Sequence, residues 1–174
     1  MVFNKAGRLL KESHSFTYQG TKLKSVREYC YLGITFTVNL TLATAQQKLR
    51  QKGIRSNFSL KRMIDIGSLK KSTLFKLFDA LILPVAGYGC QVWLPETFYS
   101  RCIVEKFASS GSHLVTMAKD PIERLHLGCL KWIVGVNKTA SNAAVWGDSG
   151  RYPLVIKLSK QVFVYIDRLN EMDQ

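Results

Sequence analysis

"REYCYLGITF", residues 27–36, alternates as a strand does, and a few positions later the hydrophobic period changes. Cys30, Leu32, Ile34 and Phe36 share one face, and Tyr29, Tyr31, Gly33 and Thr35 the other. The first set reads as core. The second leaves a bare position at Gly33 beside Tyr31, where another backbone can approach; a bulge or sheet twist is the structural alternative. Upstream, "SFTY", "QG" and "TKLKSV" read as two strands around a tight turn, and "MVFN" as a further strand. Met1 lies inside a strand-like run, which reads as a truncated start. From about Thr41 the pattern turns helical: Leu42, Ala45, Leu49, Leu60, Met63 and Ile64 fall on one side at 100° per residue. The expected class is therefore α+β, a small antiparallel sheet or hairpin followed by a mostly α-helical bundle.

Within that bundle, Gly53 weakens the long helix by about 1 kcal/mol and predicts a kink or break there. Gly67 and Ser68 read as its end and the cap of the next helix. "SLKKSTLFKLFDALIL" reads as a buried helix stopped by Pro84, with "GYGCQVW" a glycine-rich exit. Residues 98–118 read as a helix to about Phe107 followed by an "ASSGS" loop. Asp120, Pro121 and Gly135 have the order of N-cap, first helical position and C-terminal stop. "TASNAAVWGDSG" reads as a short helix, and "YPLVIKLSKQVFVYIDRL" as a last helix whose β-branched content leaves a strand reading open. The uncharged run 80–94 has 15 residues, short of the roughly 20 that a spanning helix needs.

Charge supplies the functional clue. The chain of 174 residues has a formal net charge of +13. Residues 1–71 hold 14 Lys or Arg against 3 acids, and residues 72–174 hold 11 against 9. A basic half beside a nearly neutral one suits a polyanion, nucleic acid before lipid headgroups. Lys48, Lys52, Arg55 and Arg62 fall within about 80° on the long helix, aligned for phosphates. No acid stands at i±4 to pair with them, and the preceding hairpin adds Lys22, Lys24 and Arg27. A merely solvated stripe is the alternative. His126 and Cys129 lack the paired spacing of structural zinc. No GxSxG, GxxxxGK[ST] or GxGxxG occurs, and "GDSG" lacks the strand content of a trypsin-like fold. Two-metal phosphoryl chemistry needs carboxylates converging on ions about 3.5–4 Å apart. The basic half has only Glu12, Glu28 and Asp65, and the chain has no Asp-Asp pair. The four cysteines are scattered and no secretory leader opens the chain, so reduced thiols and an intracellular place, nucleus or cytoplasm, are expected.

A resemblance adds to this reading. "IERLHLGCLKWIVGVNKTASNAAVWGDSGRYPL", residues 122–154, resembles the tail of the non-LTR, LINE-type retrotransposon reverse transcriptases. Lys131, Ile133, Gly135 and Val136 stand at its K-x-I-x-G-V pattern. Thr139, Ser141, Asn142 and Ala144 stand at T-x-S-N-x-A, and Gly150, Arg151, Pro153 and Leu154 at G-R-x-P-L. Tyr88, Gly89 and Trp93 resemble the family's Y-G-x-x-x-W helix exit, "MVFNKAGR" the strand after its K-T-K stretch, and Tyr31–Leu32–Gly33 its primer grip. The blocks run in the family's order over about residues 1–155. The family's catalytic aspartates, in a Y-A-D-D-type turn and an earlier strand, have no counterpart.

The resemblance implies the last palm strands (1–38), thumb-like helices (39–95) and a C-terminal helical region (96–174) of an RNA-directed DNA polymerase without its catalytic centre. It implies no activity alone and no cofactor: the intact family would use Mg, and its ligands are absent from this sequence. The implied partners are RNA or an RNA–DNA duplex, or a separate chain supplying the missing palm, and no membrane. The implied contacts are Lys22, Lys24, Arg27, Tyr31, Leu32, Gly33, Lys48, Lys52, Arg55 and Arg62. Two rivals stand beside this: a protein-interaction module, which would need an exposed apolar patch around Phe16, Tyr18, Leu32 and Ile34, and a pseudogene product without a selected role.

Overall fold

The structure, a computed structural model, describes residues 16–64, 68–96 and 117–172. The expected strand at "MVFN" and the expected helix and loop over 98–116 lie outside them. The chain divides into two compact units, Met1–Lys48 and Leu49–Gln174. The segments read as thumb-like and C-terminal therefore belong, apart from residues 39–48, to one unit.

In the first unit, two hairpins form two separate two-stranded antiparallel sheets. Strands β1 (Thr17–Tyr18) and β2 (Thr21–Lys22) join through Gln19 and Gly20, at φ +49° and +77°. Two consecutive left-handed residues make the tight turn whose twist matches paired strands. Strands β3 (Glu28–Tyr31) and β4 (Ile34–Thr37) pair with Tyr31 opposite Ile34 and Glu28 opposite Thr37. Leu32 and Gly33, at φ +46° and +83°, form their turn. The alternation of residues 27–36 thus belongs to two strands folded back on each other. Gly33 is a turn residue, not a gap on a strand face. The reversal also splits the expected core face: Ile34 is buried, while Cys30 and Leu32 are exposed. Beyond β4, the side-chain oxygen of Asn39 accepts from the Thr41 N–H, and Leu42 and Ala45 are buried.

Helix α1 (Ala43–Met63) runs 21 residues without a break at Gly53. In the second unit that glycine is buried, and a Cβ on it would lie 2.5 Å from Leu125 Cδ2 and 3.1 Å from Ala86 Cβ. Gly53 is there for close approach, not for a kink.

The next helix begins at Lys71, with Lys70 in the N-cap position that Ser68 was expected to hold. Pro84 does not stop it. Helix α2 (Lys71–Leu77) passes into a π-helical turn, Phe78–Ile82, and then into α3 (Leu83–Ala86), which holds Pro84 at its start. The wider turn hands the Leu83 N–H to the Phe78 carbonyl, and proline enters where a first-turn N–H is dispensable. Gly87 ends α3, and a Cβ there would meet Leu158 Cδ2 at 2.8 Å. Helix α4 (Cys90–Leu94) follows, with Trp93 Nε1 donating to the Tyr88 carbonyl at 2.9 Å.

Helix α5 (Pro121–Val134) starts at Asp120, whose side chain accepts from the Ile122 and Glu123 amides, and ends at Gly135 at φ +85°. Helix α6 (Asn142–Ser149) packs on it through Leu127, Leu130, Val145 and Trp146. Residues 154–172 are helical, α7 (Leu154–Met172), which closes the open strand reading. Its first half packs against α4, where the Cys90 thiol lies 3.1 Å from Gln161 Oε1. In the first turn of α5, Glu123 is 2 % exposed and tied to three partners: His126 Nδ1 at 2.9 Å, Trp146 Nε1 at 3.1 Å and the Leu154 N–H at 2.5 Å. One side chain therefore joins α5, α6 and the start of α7, which explains an acidic residue in the core. No helix among the described residues is long and apolar enough to cross a membrane.

Candidate nucleic-acid interface

The expected contact residues divide between the two units. In the first, Lys22 lies in β2, Lys24 and Arg27 in the stretch after it, and all three are exposed. Tyr31, at the end of β3, is 58 % exposed, and Leu32 and Gly33 form the exposed turn after it. Lys48 is the exception to an unpaired stripe. Its Nζ lies 2.7 Å from Glu28 Oε2, so an acid 20 positions upstream meets it where none stood at i±4.

In the second unit Lys52, Arg55 and Arg62 are exposed on α1. Their spacing of three and seven keeps them on one helical stripe. No carboxylate of the described residues lies within ion-pair distance of any of them. The Arg62 guanidinium sits 5.9 Å from the centre of the Phe58 ring, which supports it from the side.

A second basic surface of this unit, which the sequence reading missed, lies where α1 meets α5. Arg50 and Lys61 of α1, Arg124 and Lys131 of α5 and Lys138 of the following loop line a groove of about 670 Å³ whose lining contains no acid. The helical step puts Arg50 and Lys61 roughly 150° around α1 from the Lys52–Arg62 stripe. The sequence does hold one hint, the seven-residue spacing of Arg124 and Lys131. Only packing shows that their face opens toward that of Arg50.

The residues that carry the resemblance hold turns and helix ends. The Gly135 and Val136 amides both donate to the Lys131 carbonyl, and Lys131 Nζ donates to the Lys138 carbonyl at 2.8 Å. Asn137 Oδ1 accepts from the Thr139 N–H. Arg151 forks onto Asp79 with bonds of 2.9 and 2.6 Å.

No family model, curated protein or solved structure matches this chain.

Three titratable groups away from these surfaces are shifted by their setting. Burial raises the Asp79 carboxyl, but the hydrogen bonds and charges of Arg151 and Lys157 outweigh it and leave its pKa below the ordinary value. Burial pushes the Cys90 and Cys129 thiols up to about 11, far from the thiolate a nucleophile needs. Among the described residues, no group of three or more His, Cys, Asp or Glu side chains is placed to hold a metal ion.

Proposed function

We propose that the chain is a non-catalytic nucleic-acid-binding protein resembling the thumb and trailing region of a LINE-type reverse transcriptase, with an RNA-containing duplex as its ligand. The observation that carries this reading is the stripe of Lys52, Arg55 and Arg62: exposed, in line, and without a carboxylate partner among the described residues. Three like charges on one stripe repel one another in the free protein, and a phosphate backbone relieves that repulsion while releasing its counterions. The contacts expected there are to phosphates, so they set affinity and orientation and carry little base preference. In the first unit, Lys22, Lys24, Arg27, Tyr31 and Gly33 support the same ligand class. Lys48 contributes less, because Glu28 already neutralises it.

The test is charge reversal. Lys52→Glu with Arg55→Glu should abolish binding of an RNA–DNA hybrid and leave thermal stability within the small range typical of exposed sites. Loss of folding, or unchanged hybrid binding, would reject the reading.

One observation favours a second reading, a protein-interaction module. The first unit exposes Phe16, Tyr18, Tyr29 and Leu32 by more than half of their surface. Of the patch named for that rival, Ile34 is buried and does not take part. Hybrid binding that is absent, together with capture of a protein through Tyr18 and Leu32, would select this alternative.

A further inference from the structure

The α1–α5 groove is arranged for more than general attraction. Among its lining residues, Asn57 is only 9 % exposed, and its Oδ1 is buried without a hydrogen-bond partner. The Nε–H of Arg50, two helical turns earlier on the same face, is also buried and unpartnered. Each is a buried polar group that the protein's own atoms leave without a partner, which disfavours the folded state unless something else pairs with it. A ligand bringing a donor and an acceptor pairs with both once the two side chains turn outward into the groove that their residues line.

Two of the cations are held in place. Lys131 Nζ is anchored on the Lys138 carbonyl at 2.8 Å, and Lys61 Nζ stands 4.9 Å from the centre of the Trp132 ring. The lining thus combines five positive side chains, an indole, and an amide and a guanidinium with unused hydrogen-bonding capacity. Its volume of about 670 Å³ is in the range of small-molecule sites.

We infer that this groove is a nucleoside-phosphate site: its cations take the phosphates, the indole supports the base or sugar, and Asn57 with Arg50 reads their polar edges. The ligand is either a free nucleotide or the phosphorylated end of a single RNA strand; both present the same chemistry to these side chains. The site lies on a different face of α1 from the Lys52–Arg62 stripe, so it goes beyond the duplex reading and does not depend on it.

The experiment uses the full chain and calorimetry, with Trp132 fluorescence as a second signal. Adenosine triphosphate, inorganic tripolyphosphate and a 5′-phosphorylated tetra-uridine RNA are the three probes. Nucleotide or RNA should bind saturably below 1 mM, at least tenfold tighter than tripolyphosphate. A preference for the nucleotide assigns the free ligand, and a preference for the RNA assigns the strand end. Equal binding of tripolyphosphate, or no binding of either at 1 mM, overturns the inference.

Arg124→Glu with Lys138→Glu should weaken the bound probe at least tenfold while leaving hybrid binding within about twofold, since both residues line the groove and neither belongs to the stripe. Gly128→Gln offers a test without charge reversal. Gly128 lines the groove, and a Cβ there meets no atom within 4 Å, so the longer side chain fits the fold and occupies the ligand's space. Full probe binding by folded Gly128→Gln overturns the site.

Discussion

Arg151 clamps Asp79 across 72 positions of sequence, its two terminal nitrogens 2.9 and 2.6 Å from the two carboxylate oxygens. The guanidinium also lies 4.9 Å from the centre of the Phe75 ring, and Lys157 reaches the same carboxylate at 3.1 Å. The arrangement fastens the turn before α7 to the π-helical segment that admits Pro84.

Arg151→Ala should therefore destabilise the protein by about 2 kcal/mol, and Arg151→Lys by less, because lysine keeps the charge but loses the fork. Urea denaturation measures both. A Lys variant as damaged as the Ala variant would show that shape, not charge, dominates.

The same pair makes a pH prediction. The folded protein holds Asp79 below its ordinary pKa, so the unfolded chain binds more protons there and the pair's stabilisation is present above about pH 4. It is lost as pH falls through the folded value. The stability gap between wild type and Asp79→Asn should be full at pH 7 and shrink steadily below pH 4. A gap that stays constant down to pH 2 contradicts the assignment.

Two glycines in helix interiors should respond oppositely to alanine. Gly128→Ala meets open space and should gain up to about 1 kcal/mol of helix propensity. Gly53→Ala must push against Leu125 and Ala86, and should lose about 1 kcal/mol despite the same propensity gain. Thermal melts of the two variants decide this, and equal signs would refute the close approach at Gly53.

Hybrid binding should depend on salt in proportion to the phosphates engaged. Three stripe contacts predict a fall of about 40-fold between 50 and 200 mM salt, and Arg55→Ala should reduce the log–log slope by about one. A slope near zero in the wild type is the outcome that refuses a phosphate contact.

Thiol labelling separates the cysteines. Cys30 is exposed and should react with a maleimide in the native protein, whereas Cys90 and Cys129 are buried with raised pKa values and should react only in denaturant. Native labelling of Cys129, read by peptide mass spectrometry, would contradict the packing of α5.

Local chemistry alone determined much of this protein. The switch from period two to period 3.6 near Thr41 marks the α+β order. Asp120, Pro121 and Gly135 set both ends of α5, and the cations at 52, 55 and 62 define a stripe by spacing alone. These features are legible because neighbours within one or two turns decide them. Only the tertiary structure decided the rest. Gly53 lies in an unbroken helix because Leu125 and Ala86 require its bareness, and Pro84 sits inside a helical run because a π turn makes room for it. Glu28 neutralises Lys48 from 20 positions away, and Arg50, Asn57 and Arg124 become one groove only when α1 and α5 meet. Each of those outcomes depends on atoms distant along the chain, and the free energy of such contacts is set by packing, to which no local pattern has access.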